Sequence, residues 1–148
     1  MELLASMFAG RGGPGDFAWM IEQPEYADAL FIFNDNESEF RAHQGHPAGA
    51  RRCHAGRGNA VVRPYQCEDP PRAAGIPTGD AGGYSRLTDG ARAAIDDALA
   101  AIRALVASGR YQRVIYSAAD DSGALGTGIF VVADDVKRYI VDGLRALF

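Results

Sequence analysis

The chain has 148 residues, 47% of them apolar and 23% charged, with a formal net charge of −4. That length fits one domain able to bury a core without metal or disulfide staples. The negative balance argues against general nucleic-acid or membrane-surface binding, and no apolar run reaches membrane-spanning length. The opening MELLASMFAG carries Glu2 and no basic n-region, so no signal peptide is expected and the compartment is read as cytoplasmic. In that setting Cys53 and Cys67 are expected as free thiols.

In chain order, Leu3 to Phe8 reads as a strand running into Gly10-Arg11-Gly12-Gly13-Pro14-Gly15. This turn has the G-x-G-x-x-G spacing of a dinucleotide fingerprint, with Asp35 twenty residues beyond Gly15. Pro14 and an early Pro24, which limit the following helix to Asp16–Gln23, count against it. Asp28 to Phe33 is an unbroken apolar run, expected as a central strand covered on both faces. It ends in Asn34-Asp35-Asn36-Glu37, and ligands of open α/β sheets bind at such strand ends.

Residues 37–58 form a polar excursion with a short helix at its start. His43, His46, Cys53 and His54 are metal-capable, and His43-x-x-His46 has usable spacing. However, Cys53 and His54 are adjacent and no C-x-x-C pair exists, so no metal or other cofactor is expected. Six arginines (Arg41, Arg51, Arg52, Arg57, Arg63 and Arg72) face only Glu68 and Asp69 over residues 41–72. Val61-Val62 reads as a short strand with Pro64 at its edge, and residues 73–79 as another strand ending in a glycine turn.

From Thr88 the period becomes helical. Ala91, Ala94, Ile95, Ala98, Leu99, Ile102, Leu105 and Val106 share a stripe, Thr88 is the expected N-cap and Gly109 the stop. Val114-Ile115-Tyr116 is a further strand. It leads to a loop whose Gly123, Gly126 and Gly128 suit positive φ and close backbone approach. A final helix is expected to be capped by Asp134 or Asp135 and to bury Val136, Tyr139, Ile140, Leu144 and Leu147. Gly143 within it signals close packing.

The series FIFNDN (31–36), GRGNAVVRP (56–64), GIPTG (75–79) and GALGTGIF (123–130) resembles a family of small bacterial and phage proteins, which in turn resembles macro domains. The resemblance covers roughly residues 28–148 and leaves 1–27 as an N-terminal extension. Val131 stands where macro domains usually have a glycine after the late loop, and Asp35 replaces a small residue between the asparagines. The resemblance implies one three-layer α/β/α domain over 1–148, with a mixed, mostly parallel sheet. It also implies a small-molecule nucleotide-type ligand, ADP-ribose or a related nucleotide-sugar diphosphate, with hydrolysis at the ribose as the accompanying chemistry. Asn34, Asp35 and Asn36 would face the ribose, with Asp35 orienting a water or acting as base. Gly123, Gly126, Thr127, Gly128 and Ile129 would wrap the diphosphate, with Gly58, Asn59, Thr78 and Arg63 or Arg57 completing the site. Two other readings stand beside it: a dinucleotide module on Gly10–Gly15, and a non-enzymatic interaction domain using the 37–58 loop.

Overall fold

The computed structural model describes residues 1–45 and 53–148. Five strands form one sheet: β1 (Glu2–Met7), β2 (Ala29–Asn36), β3 (Ala73–Asp80), the two-residue β4 (Gly82–Gly83) and β5 (Arg113–Ala118). Their order is β1-β5-β2-β3-β4, with every pairing parallel except β3 with β4. The carboxyl ends of β1, β2, β3 and β5 therefore lie along one edge. Residues 1–27 are part of the domain, because β1 pairs with β5 along its whole length.

Among the described residues four α-helices flank the sheet: α1 (Phe17–Met20), α2 (Glu37–Gln44), α3 (Asp89–Ala107) and α4 (Asp134–Arg145). The apolar run of β2 is continuous because its residues feed two cores in turn. Leu30 and Ile32 pack with Ile95 and Ile102 of α3 and with Ile140 and Leu144 of α4. Phe31 and Phe33 pack on the other face with Phe17, Met20 and Val62. The result is a single three-layer α/β/α domain. Among the described residues no helix is long and apolar enough to cross a membrane.

The long helix follows the expected pattern. Thr88 caps α3 by accepting the Ala91 N–H at 3.1 Å, and Gly109 takes a φ of +74° just past its end. Three local expectations are corrected. Residues 61–62 lie not in a strand but in a 3-10 helical segment, Gly58–Cys67. With about three residues per turn, Ala60, Arg63 and Gln66 all face inward, and Val62 joins them. The β2 strand does not stop at Phe33 but continues through Asn36, with a register shift between Asp35 and Asn36. Ala133, rather than an aspartate, occupies the N-cap of α4. Asp134 and Asp135 sit in its first turn, where negative charge suits the helix dipole, and Asp135 accepts the Leu87 N–H at 3.1 Å.

Candidate functional site at the carboxyl edge of the sheet

Side chains alternate across β2, so Asn34 and Asp35 leave the strand toward opposite faces. The half-buried Asn34 donates from Nδ2 to the Gly126 carbonyl at 2.7 Å, tying the strand end directly to the late glycine loop. Asp35 turns inward and is 5% exposed. Its Oδ1 accepts from Arg63 Nη2 at 2.5 Å and from the Asn36 N–H at 2.9 Å. Burial pushes the Asp35 carboxyl above its ordinary range, with the Arg63 guanidinium pulling against that shift. Room for this carboxylate comes from Gly75, where a Cβ would stand 2.9 Å from Oδ2. Asn36 is the N-cap of α2, its Oδ1 accepting from the Glu39 N–H at 2.7 Å and the Ser38 hydroxyl at 2.9 Å.

Arg63 is 4% exposed, and besides Asp35 its guanidinium donates to the His54 carbonyl at 3.2 Å. It is a tether between β2 and the 53–67 segment, whereas Arg57 remains on the surface. Thr78 is buried, and its hydroxyl lies 3.4 Å from the Asp35 carbonyl.

The glycines of the late loop do different work from one another. Only Gly123 has a positive φ, +81°, with its carbonyl accepting from the Tyr116 hydroxyl at 2.6 Å. Gly126 is needed for close approach: a Cβ there would sit 3.1 Å from the carbonyl carbon of Ala118. Gly128 has open space around it. The N–H groups of Thr127, Gly128, Ile129 and Phe130 have no backbone acceptor among the described residues. Ile129, Phe130 and Val131 are exposed by 50, 53 and 93%. Across from them Gly58, at φ +57°, would bring a Cβ within 2.9 Å of Ile129 Cδ1. The half-buried Asn59 follows it.

The structure thus brings together Asn34, Gly126, Ile129 and Gly58, and commits Asp35, Arg63 and Asn36 to contacts within the fold. Only half of the Asp35–Arg63 pairing had a sequence signal: Arg63 is bordered by Val62 and Pro64, whereas Asp35 lies between two asparagines. Nothing local distinguished that pairing from a carboxylate facing a ligand.

Gly10–Gly15 forms a surface turn. Gly10, Gly12 and Gly15 have positive φ, and only Gly15 is constrained by neighbours, its Cβ position falling 1.9 Å from the Met7 carbonyl oxygen. The helix that follows has four residues, too short to present a dipole to a pyrophosphate. Among the described residues one open groove lies between α3 and α4 around Leu99 and Gly143, and another lies beside Tyr116 and Arg145, lined in part by Gly123 of the late loop.

The expectation of free thiols is also corrected, since Cys53 and Cys67 are joined as a disulfide with their Cα atoms 6.1 Å apart. The 3-10 segment folds Cys67 back beside Cys53 while Arg63 fixes the chain between them, a proximity that local sequence does not encode. His43 Nδ1 lies 3.8 Å from Cys53 Sγ. His46, Arg51 and Arg52 lie outside the described residues. Comparison of the chain with protein families, with curated proteins and with solved structures gave no match.

Proposed function

We propose that the carboxyl edge of the sheet binds ADP-ribose or a related nucleotide-sugar diphosphate, in the manner of a macro domain. The observation that supports this most is the hydrogen bond from Asn34 to the Gly126 carbonyl. It draws a polar strand end to a loop whose four following N–H groups have no backbone acceptor among the described residues. Successive donors of that kind suit phosphate oxygens. In this reading the diphosphate lies on Thr127–Phe130, the ribose faces the strand end, and the Gly58–Asn59 turn flanks the ligand. Asp35, already paired with Arg63, positions the strand end rather than acting as base. Hydrolysis at the ribose then falls to a water held at the Asn34 side chain, beside its tie to Gly126. A cytoplasmic setting fits such a ligand.

Calorimetric titration of the full chain with ADP-ribose is the test, with saturable heat at one site per chain expected. Asn34→Ala frees Gly126 and is expected to weaken binding about tenfold, in line with loss of one hydrogen bond of about 1.4 kcal/mol. No heat and no thermal shift at millimolar ligand would overturn the reading. The exposed Ile129-Phe130-Val131 run favours a second one, a protein-interaction surface without a small ligand. Phe130→Ala separates the two. Loss of an aromatic platform for the base weakens ADP-ribose binding in the first reading and has no ligand to affect in the second.

A further inference from the structure

Where α2 ends against the 3-10 segment, three side chains carry a chemistry that the proposed ligand edge does not use. His43 stands in the last turn of α2, Cys67 closes the 3-10 segment, and Cys53 precedes it. Their donor atoms lie within 4.8 Å of one another, and each residue is half-buried. We propose that, once the Cys53–Cys67 bridge is reduced, these three side chains bind one thiophilic divalent cation of the zinc class.

The geometry suits that ion. With metal–sulfur bonds of about 2.3 Å and metal–nitrogen bonds of about 2.0 Å, a tetrahedral site has ligand–ligand edges of about 3.5–3.8 Å. The 3.8 Å from His43 Nδ1 to Cys53 Sγ is already close to such an edge. Cα atoms 6.1 Å apart allow the two sulfurs to separate to a second edge by side-chain rotation alone. The donor set selects the metal: two sulfurs and an imidazole favour zinc-class ions over magnesium or calcium, which take oxygen ligands. Two thiolates also balance the charge of a divalent cation, so the half-buried corner gains no net charge.

Both sides of the corner are anchored. Asn36 caps α2, and the Arg63–Asp35 pair holds the 3-10 segment to β2. Disulfide and metal are alternative fastenings of the same corner, and a reducing compartment opens the first and leaves the second. A water-soluble phosphine performs the opening in the test tube. With one water it becomes the phosphine oxide, and the two sulfurs become thiols. The cation then displaces both thiol protons, forming two metal–sulfur bonds and one metal–nitrogen bond, and keeps one of its own waters as the fourth ligand.

The experiment uses the full chain, stripped of metal, reduced with a phosphine and titrated with cobalt(II). One equivalent is expected to raise a thiolate-to-cobalt charge-transfer band together with the strong visible absorption of a tetrahedral ion. Two protons should be released in weak buffer. The oxidised chain should show neither signal, Cys67→Ser should bind more weakly and lose at least half of the charge-transfer intensity, and His43→Ala should lower affinity while keeping some thiolate absorption. A reduced wild-type chain without the band overturns the proposal, and unchanged affinity in His43→Ala removes the histidine from it. Should the cysteine variant fail to fold, alkylation of the reduced wild type decides: zinc is expected to protect both thiols, and equal labelling with and without zinc overturns the site.

Discussion

On one face of the sheet, Ile95, Ile102, Val136, Ile140 and Leu144 of α3 and α4 close over Leu30, Ile32 and Val114 in an apolar layer. On the other face, Phe17, Phe31, Phe33 and Val62 share their layer with the buried Asp35–Arg63 pair and Gln66. The same side carries the Cys53–Cys67 bridge and Arg72, which donates to the Tyr26 carbonyl at 2.8 Å. The cause lies in what covers each face. Two helices of 19 and 12 residues bring long apolar stripes. A four-residue helix and a 3-10 segment bring little, and their backbone geometry is weaker. The thinly covered face relies on polar ties, and the candidate ligand edge borders those ties. An apolar layer loses stability in proportion to what is removed from it, whereas a buried ion pair fails as a unit.

Breaking that unit is expected to give the largest effect. Arg63→Met leaves the Asp35 carboxylate buried without its partner and should cost about 3–5 kcal/mol in urea unfolding. The double variant Asp35→Leu/Arg63→Met should recover most of that loss, because two well-packed apolar residues carry no charge to desolvate. A double variant as unstable as the single one would show that the pair is not what fastens this face. The pH dependence has a definite sign. Burial raises the Asp35 pKa above 3.8, so the folded chain holds that proton more tightly than the unfolded one. The associated stability is complete below the unfolded value and is lost as pH rises through the raised folded value. Removing Arg63 raises the carboxyl further, so the loss in Arg63→Met should extend to higher pH than in wild type.

Reducing the bridge is a smaller intervention on the same face. Cys53 and Cys67 are 14 residues apart, and closing a loop of that length stabilises by about 3 kcal/mol in the chain-entropy account. Reduction in metal-free buffer is expected to lower unfolding free energy by about that amount. Amide exchange should quicken first across residues 53–67, with α3 remaining protected until global unfolding. Simultaneous loss of protection in α3 would mean that the two faces are one cooperative unit.

The two faces also differed in how far they could be read in advance. The stripe of Ala91, Ala94, Ile95, Ala98 and Ile102, with Thr88 before it and Gly109 after it, defines α3, because each local signal points the same way. The 58–67 segment has no such agreement. Val61-Val62 resembles a strand in isolation, and the periodicity that places Ala60, Arg63 and Gln66 inward includes a charge and an amide. The disulfide depends on a tertiary approach across 14 residues, which spacing alone does not reveal. At the candidate ligand edge, the convergence of Asn34 with the late glycine loop follows from parallel strands ending together. The role of Asp35 does not, since a carboxylate facing a ligand and one facing Arg63 have the same local sequence. Its raised pKa comes from packing by residues distant in the chain.

The smallest expected effect tests how tightly the apolar face is packed. Gly143 lies where α4 crosses α3, and a Cβ there would stand 2.4 Å from Leu99 Cδ1. That atom ends a flexible, half-buried side chain beside an open groove, so it can move. Gly143→Ala gains about 1 kcal/mol of helix propensity. Displacing Leu99 from its rotamer costs about 0.5–1.5 kcal/mol. The two nearly cancel, and the melting temperature should change little. At Gly83 the same substitution meets backbone instead, the carbonyl oxygen of Val131 at 2.0 Å, and has no flexible side chain to displace. A loss above about 2 kcal/mol in Gly143→Ala, as expected from overpacking a rigid core, would mean that Leu99 is held as firmly as that backbone. The α3–α4 face would then be as intolerant of a single change as the face fastened by Arg63.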